Sequence, residues 1–457
     1  MKTSTVNLAL CAALLAGGLT SPLPALAAEA EVLKRLDAMA AEIEQLRAEL
    51  AATKKSAEAL TQRQQVQNQA TAPAVLATIT GNAAAPLVNT MAVDDGALGR
   101  ASGFALGPQT VISSYGEIGY TRPKNNSSGA QTDVGRAVIG ITHRFDDKTK
   151  MVAEFEWEHA VTSASDKGES EVEQLYVERE FNTGLRAKGG LYLMPVGLLN
   201  TNHEPTVYYG VFRNFVETAI IPTTWREAGF GLSSTMDNGL TWDTGLTTGF
   251  DLSKWDSTSA DGRSSPLRSI HQEGQLAKSG DLSVHGAINW RGLPGLLLGG
   301  SVFTGKGGQK TPGFAAPNAR VSLMDLHGRY TPGKWDLSAL YARGTISNTE
   351  ALNLTFVGNP TPVPSTFFGW YAQAAYQLWR SSDYRLAPFV RLERFNTASA
   401  YSTVPAGLAT PTGPTEQVVT AGASFYLGEG VVVKADYQKF KSDASRDRFN
   451  LGVGYSF

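Results

Sequence analysis

Six ionisable residues, His203, Glu204, Arg213, Glu217, Arg226 and Glu227, crowd into one stretch of the chain between Leu191 and Ser233. Fixed bases and carboxylates at that density could sort dissolved ions and polar solutes by charge, or could brace a loop through ion pairs; the two uses share a signature. A second set, Arg136, Arg144, Glu154, Glu156, Glu158, Arg186 and Lys188, recurs on alternate positions of neighbouring segments. Those positions place the charges on one face of extended chain, where they could look across at the first set.

Covalent chemistry is not supported by the residue types. The only cysteine is Cys11, so the chain beyond it has no thiol for a disulfide, a thiolate nucleophile or a Cys-metal site. The six histidines, His143, His159, His203, His271, His285 and His327, lie apart. No serine near them sits in a G-x-S-x-G turn, and neither an H-E-x-x-H pattern nor an EF-hand occurs. Gly305-Lys306-Gly307-Gly308-Gln309-Lys310 lacks the spacing of a phosphate cradle. We therefore expect a non-enzyme with no cofactor and no metal, an outer-membrane hydrolase being the disfavoured reading. With 40 basic against 42 acidic residues the net charge is -2, and 8 and 9 of these precede residue 101, leaving 32 and 33 beyond. No global field favours a nucleic-acid partner, so any anion or phosphate preference must come from local placement.

The elements that must hold these residues follow from periodicity. Residues 1–27 read as a secretory signal peptide: Lys2, an apolar run from Leu8 to Leu19, and Ala25-Leu26-Ala27 as the cleavage site. Residues 28–69 carry a heptad seam through Leu36, Met39, Ile43, Leu46 and Leu50, with Glu42 and Glu49 spaced to pair with Arg47 and Lys54 of a second helix. That predicts a short coiled-coil helix in a parallel homo-oligomer. Residues 70–108 are Ala, Thr, Pro, Asn and Gly without a period, a flexible linker.

From Val111 the period becomes two. Phe449, Leu451, Val453, Tyr455 and Phe457 alternate with Arg448, Asn450, Gly452, Gly454 and Ser456, while Phe155 and Trp157 alternate with Glu154, Glu156 and Glu158. A dry core cannot hold that many carboxylates, so the charged face must be wet and the apolar face must meet something else. Sixteen such segments are expected between 109 and 457, including 226–234, 240–251, 367–379 and 384–396. Short turns such as Asp237-Asn238-Gly239 alternate with long polar loops, 195–225 being the most proline- and aromatic-rich. Regular alternation of short and long connections describes a sixteen-stranded antiparallel outer-membrane barrel, and the loop 195–225 is expected to fold into its lumen. Tyr208, Tyr209, Phe212, Phe215 and Trp225 are expected to pack that loop rather than to bind a sugar.

These residues also resemble a known family. Pro195-Val196-Gly197-Leu198-Leu199-Asn200, Val211-Phe212-Arg213-Asn214, Ile221-Pro222-Thr223-Thr224-Trp225-Arg226-Glu227 and Leu293-Pro294-Gly295-Leu296, together with the coiled-coil arrangement, are similar to the phosphate-selective porin O and P family. The resemblance implies a homotrimeric diffusion channel for small hydrophilic solutes, set among membrane lipid and lipopolysaccharide of a Gram-negative bacterium, with the helix in the periplasm. Terminal Phe457 resembles the signal read by the outer-membrane assembly machinery. The alternative is a structural trimer that tethers the envelope, with the coiled coil as its working part.

Overall fold

The computed structural model describes Glu44 and residues 104–107, 109–181, 184–402 and 413–457. The expected signal peptide, the seam residues Leu36, Met39, Ile43, Leu46 and Leu50, and nearly all of the linker lie outside the described residues. The chain divides into a unit of residues 1–89 and a unit of residues 90–457, and every described strand belongs to the second.

Sixteen long strands build that unit: β1 (Thr110–Pro123), β2 (Gln131–Arg144), β3 (Thr149–Glu158), β4 (Ser170–Glu180), β5 (Leu185–Leu193), β6 (Arg226–Thr235), β7 (Leu240–Thr247), β8 (Ser283–Trp290), β9 (Leu296–Lys306), β10 (Arg320–Tyr330), β11 (Trp335–Ser347), β12 (Thr366–Tyr376), β13 (Tyr384–Ala400), β14 (Glu416–Leu427), β15 (Val431–Phe440) and β16 (Arg448–Ser456). Each pairs antiparallel with the next, and β16 pairs with β1 from Arg448↔Pro123 to Ser456↔Tyr115, so the sheet closes on itself. Closure leaves no open edge, which is what lets a sheet stand in hydrocarbon. Two short pieces add to it: Phe104–Gly107 pairs with β1, and Trp379–Arg380 pairs with β13.

The faces of this sheet are inverted relative to a water-soluble protein. Large apolar side chains stand outward and exposed, among them Phe230 at 77%, Leu326 at 66%, Ile288 at 55% and Val453 at 48%. Charged side chains of the same strands are buried inside, with Arg136 at 3%, Lys434 at 3%, Asp436 at 2% and Arg391 at 2%. No described helix is long and apolar enough to cross a membrane.

Strand edges depart from the sequence expectation where side chains are recruited elsewhere. The segment expected over 240–251 leaves the ladder after Thr247, because Phe250 turns in to stack on Trp225 and Asp251 caps a short turn through Ser253. The strand beginning at 384 runs on to Ala400. Two bulges matter for the interior. On β2, Gly135 is left unpaired between Arg136↔Glu117 and Val134↔Ile118. On β4, Glu173 is left unpaired between Gln174↔Glu154 and Val172↔Phe155, and the bulge turns its carboxylate inward beside that of Glu154. Re-aiming one side chain is the usual consequence of a β-bulge.

Candidate functional site

The connection between β5 and β6 does not stay at the rim. Backbone and side chains of residues 195–225 make hydrogen bonds to inward residues of strands far around the barrel: Tyr209 to Asp336 of β11 at 3.2 Å, Phe215 N–H to Glu393 of β13 at 2.6 Å, Val211 N–H to Asp436 of β15 at 2.6 Å, and Thr206 to Ser456 of β16 at 2.6 Å. Tyr208 donates to Glu117 of β1 and lies under the Lys434 ammonium, 3.7 Å from the ring centroid. Exposed backbone amides would be costly inside a barrel; the wall's carboxylates accept several of them.

Asn200 closes the loop at its base. Its amide nitrogen donates to the carbonyls of Met194 and Trp225, at 2.7 and 2.8 Å, and its carbonyl accepts from Trp225 N–H at 2.7 Å. Trp225 is fully buried, stacked on Phe250 with centroids 5.1 Å apart and edge-on to Phe303 at 4.6 Å. Phe215 stacks on Phe395, and Tyr209 on Phe389. The aromatics thus pack the loop as expected, with Phe215 half-buried and Phe212 exposed.

The six loop charges are buried or half-buried against the wall. Glu217 accepts four hydrogen bonds, from Leu198 and Leu199 N–H to one oxygen and from Asn214 and Tyr371 to the other, all between 2.6 and 2.9 Å. Burial nevertheless pushes its carboxyl above the ordinary range. A side chain at Gly197, whose φ is +71°, would place its Cβ 2.5 Å from that carboxylate, so the turn requires glycine. Glu227 accepts from Trp225 Nε1 at 2.9 Å and Thr248 Oγ1 at 2.5 Å. Arg226 is clamped by Glu171 at 2.5 Å and Glu273 at 3.2 Å. Arg213 donates to Thr224 Oγ1 at 3.1 Å, and burial pushes its guanidinium down. His203 lies 2.7 Å from both Glu173 and Tyr115, and Glu204 beside it is buried.

Five of the six thus meet side-chain or backbone partners at bonding distance, while Glu204 keeps a buried Oε2 without one, because the loop packs onto the wall. Of the wall set, Arg136 stands opposite Glu158 in register but bonds Glu117 of β1 at 3.0 Å and the His203 carbonyl at 2.5 Å. Glu154 accepts from Gln174 at 2.6 Å, Glu156 is buried, and Glu158 and Arg144 are half-buried near the strand ends. Lys188 pairs with Asp243 at 3.0 Å.

A cavity of about 910 Å³ lies between the inner loop and the wall, reaching the short-turn rim at Gly184, Gly239 and Thr331. Of the expected residues only Arg186 lines it. Its other charged linings, Arg291, Arg329, Arg391, Glu180 and Asp336, were not singled out from the sequence, although the two-residue period of β10, β11 and β13 assigns Arg329, Arg391 and Asp336 to the inward face. Arg329 holds Asp336 with two hydrogen bonds of 2.9 and 2.6 Å, and Arg391 holds Glu393 at 2.9 Å while donating to the Tyr209 carbonyl. A narrower space of 110 Å³ continues past Arg186, Lys188 and Tyr192.

A closed barrel with an apolar exterior, a charged interior and an internal loop defines a transmembrane β-barrel of the porin type. No family model matches the chain. An uncharacterized protein of Aquifex aeolicus (strain VF5) is 28% identical over 357 residues, covering 76% of this chain and 79% of that one. Among solved structures, OmpF of Salmonella typhi in complex with daunomycin superposes with a TM-score of 0.52 at 13% identity, over 76% of this chain and 97% of that chain. The outer membrane channel DcaP of Acinetobacter baumannii gives a TM-score of 0.48 at 12% identity, over 78% and 99%. The likeness to OmpF is one of fold: this chain shares the porin-type barrel.

Proposed function

We propose that this protein is an outer-membrane porin: a passive, water-filled diffusion channel for small hydrophilic solutes and ions, narrowed by the loop 195–225. The inversion of the barrel carries the reading, since charges at Arg136, Arg391, Lys434 and Asp436 are inside while Phe230 and Leu326 face out. Sixteen strands enclose a lumen wide enough for water, and only an internal obstruction would make such a lumen selective. The loop's bonds to β1, β11, β13, β15 and β16 supply that obstruction.

Selectivity is then set in the cavity beside the loop. Asp336 pairs with Arg329 and Glu393 with Arg391 beside that cavity, which Arg186, Arg291 and Glu180 also line. A phosphate-specific filter would need several cations converging on one point. The chain assembles as a homotrimer reinforced by the periplasmic helix of residues 28–69. Phe457, whose N–H and carbonyl pair with Ser114 and whose ring is exposed, serves as the assembly signal.

Reversal potentials in planar bilayers with asymmetric KCl test this reading. The expected result is stable pores whose selectivity shifts toward cations when Arg291 is replaced by glutamine. A folded protein that inserts but forms no pores overturns it.

A further inference from the structure

We propose that His203, Glu173 and Glu154 form a binding site for one divalent transition-metal ion of the zinc class, tying the inner loop to β3 and β4. One ligand atom from each lies within 4.8 Å of the other two, and all three residues are buried. The loop brings the imidazole, β3 brings Glu154, and the β4 bulge brings Glu173 to the same point.

The imidazole is oriented as a ligand. Its Nδ1 lies 2.9 Å from the Asn200 carbonyl, which can only accept, so Nδ1 carries a proton and Nε2 is the atom turned to the cluster. Metal-bound histidines characteristically donate their other N–H to a backbone carbonyl in this way. Nε2 is 2.7 Å from Glu173 Oε1 and from Tyr115 Oη, a buried ion-pair contact that a metal would replace on displacing the Nε2 proton. The second Glu173 oxygen is held by Tyr115 Oη at 2.9 Å, and Glu154 is held by Gln174 Nε2 at 2.6 Å, which fixes both carboxylates from behind.

Charge balance points the same way. Glu204 repels Glu154 and has a buried Oε2 without a partner, as does Glu156 at Oε1, while the adjacent guanidinium of Arg136 is already engaged by Glu117 and the His203 carbonyl. Four buried carboxylates, Glu154, Glu156, Glu173 and Glu204, face Arg136, Arg226 and His203, and a bound cation would offset the remaining negative charge. One imidazole with carboxylate oxygens suits Zn²⁺, whereas Ca²⁺ and Mg²⁺ favour all-oxygen shells. The site needs only the barrel and its inner loop, and would stand whichever solute passes.

The test uses the full-length protein folded in detergent micelles, stripped with chelator and desalted. Titration with ZnCl₂ and elemental analysis should find about one Zn²⁺ per chain, and Co²⁺ should give a visible ligand-field band that Zn²⁺ abolishes. His203→Gln should weaken binding by roughly 100-fold or more, while His285→Gln, an inward histidine paired to Asp243, should bind as the parent does. Should His203→Gln fail to fold, Glu154→Gln takes its place, and the parent Co²⁺ spectrum decides independently of any variant. No stoichiometric Zn²⁺ uptake by the parent, or unchanged uptake by His203→Gln or Glu154→Gln, overturns the site. Protein that binds Zn²⁺ but forms no pores would retain the site and remove the channel.

Discussion

At the scale of single residues, the interior shows how one carboxylate can organise a loop. Glu217 collects two backbone N–H groups, an amide and a phenol; the Asn214 and Tyr371 side chains are buried, and the Leu198 and Leu199 N–H groups are part-buried. Truncation to alanine strands them together, and an unsatisfied buried donor costs about 1–3 kcal/mol. Glu217→Ala should therefore destabilise the folded barrel by on the order of 3 kcal/mol, read as a lower urea midpoint for unfolding from micelles, and should widen the spread of single-channel conductance as the loop loosens. An unchanged midpoint would remove Glu217 from its bracing role. The importance of Glu217 was legible in the sequence from its place among prolines and aromatics, but its partners were not: Tyr371 lies 154 positions away and no local period points to it. The same limit hid Glu173, since a bulge reverses the alternation by which inward residues are counted.

Elements were more legible than contacts, because a two-residue period over ten positions specifies both strand and face. Sixteen strands and the alternation of short and long connections were readable for that reason. Connections have no such period, and residues 248–282 show the consequence: Phe250 leaves its strand to pack on Trp225, and Glu273 returns to the barrel to grip Arg226. Burial pushes the Glu273 carboxyl up, but His271, 2.9 Å away, together with Arg226 and Arg268, outweighs burial and holds it below its ordinary value. The folded state therefore prefers the carboxylate. The stabilisation is present above the ordinary carboxyl value of about 4.5 and is lost as pH falls through the depressed one. Hydrogen-exchange protection across 268–276, taken relative to the intrinsic rate at each pH, should be high at neutral pH and fall in that acidic window. In Glu273→Gln protection should be low at both, with no acid step; retention of the step would assign it to another group.

For the whole molecule the decisive quantity is which solvent each face meets. Leu326 tests it well: it sits midway along β10, opposite Gly300 of β9 and Tyr341 of β11, with its side chain 66% exposed. On a water-facing surface an exposed leucine changed to arginine alters stability by no more than about 0.5 kcal/mol. On the hydrocarbon-facing wall of a barrel the same change costs about 2–4 kcal/mol near the midplane and much less toward either interface. Leu326→Arg, refolded into phosphatidylcholine vesicles and followed by urea titration of tryptophan fluorescence, should lose stability within that larger range. Leu337→Arg, nearer the short-turn end of β11, should lose less. The gradient between the two positions is the informative result, because packing against a neighbouring protomer could make either site intolerant but would not grade the penalty with depth. Equal, negligible losses at both would mean that the apolar face meets water, and the membrane reading of the alternating strands would fall with it.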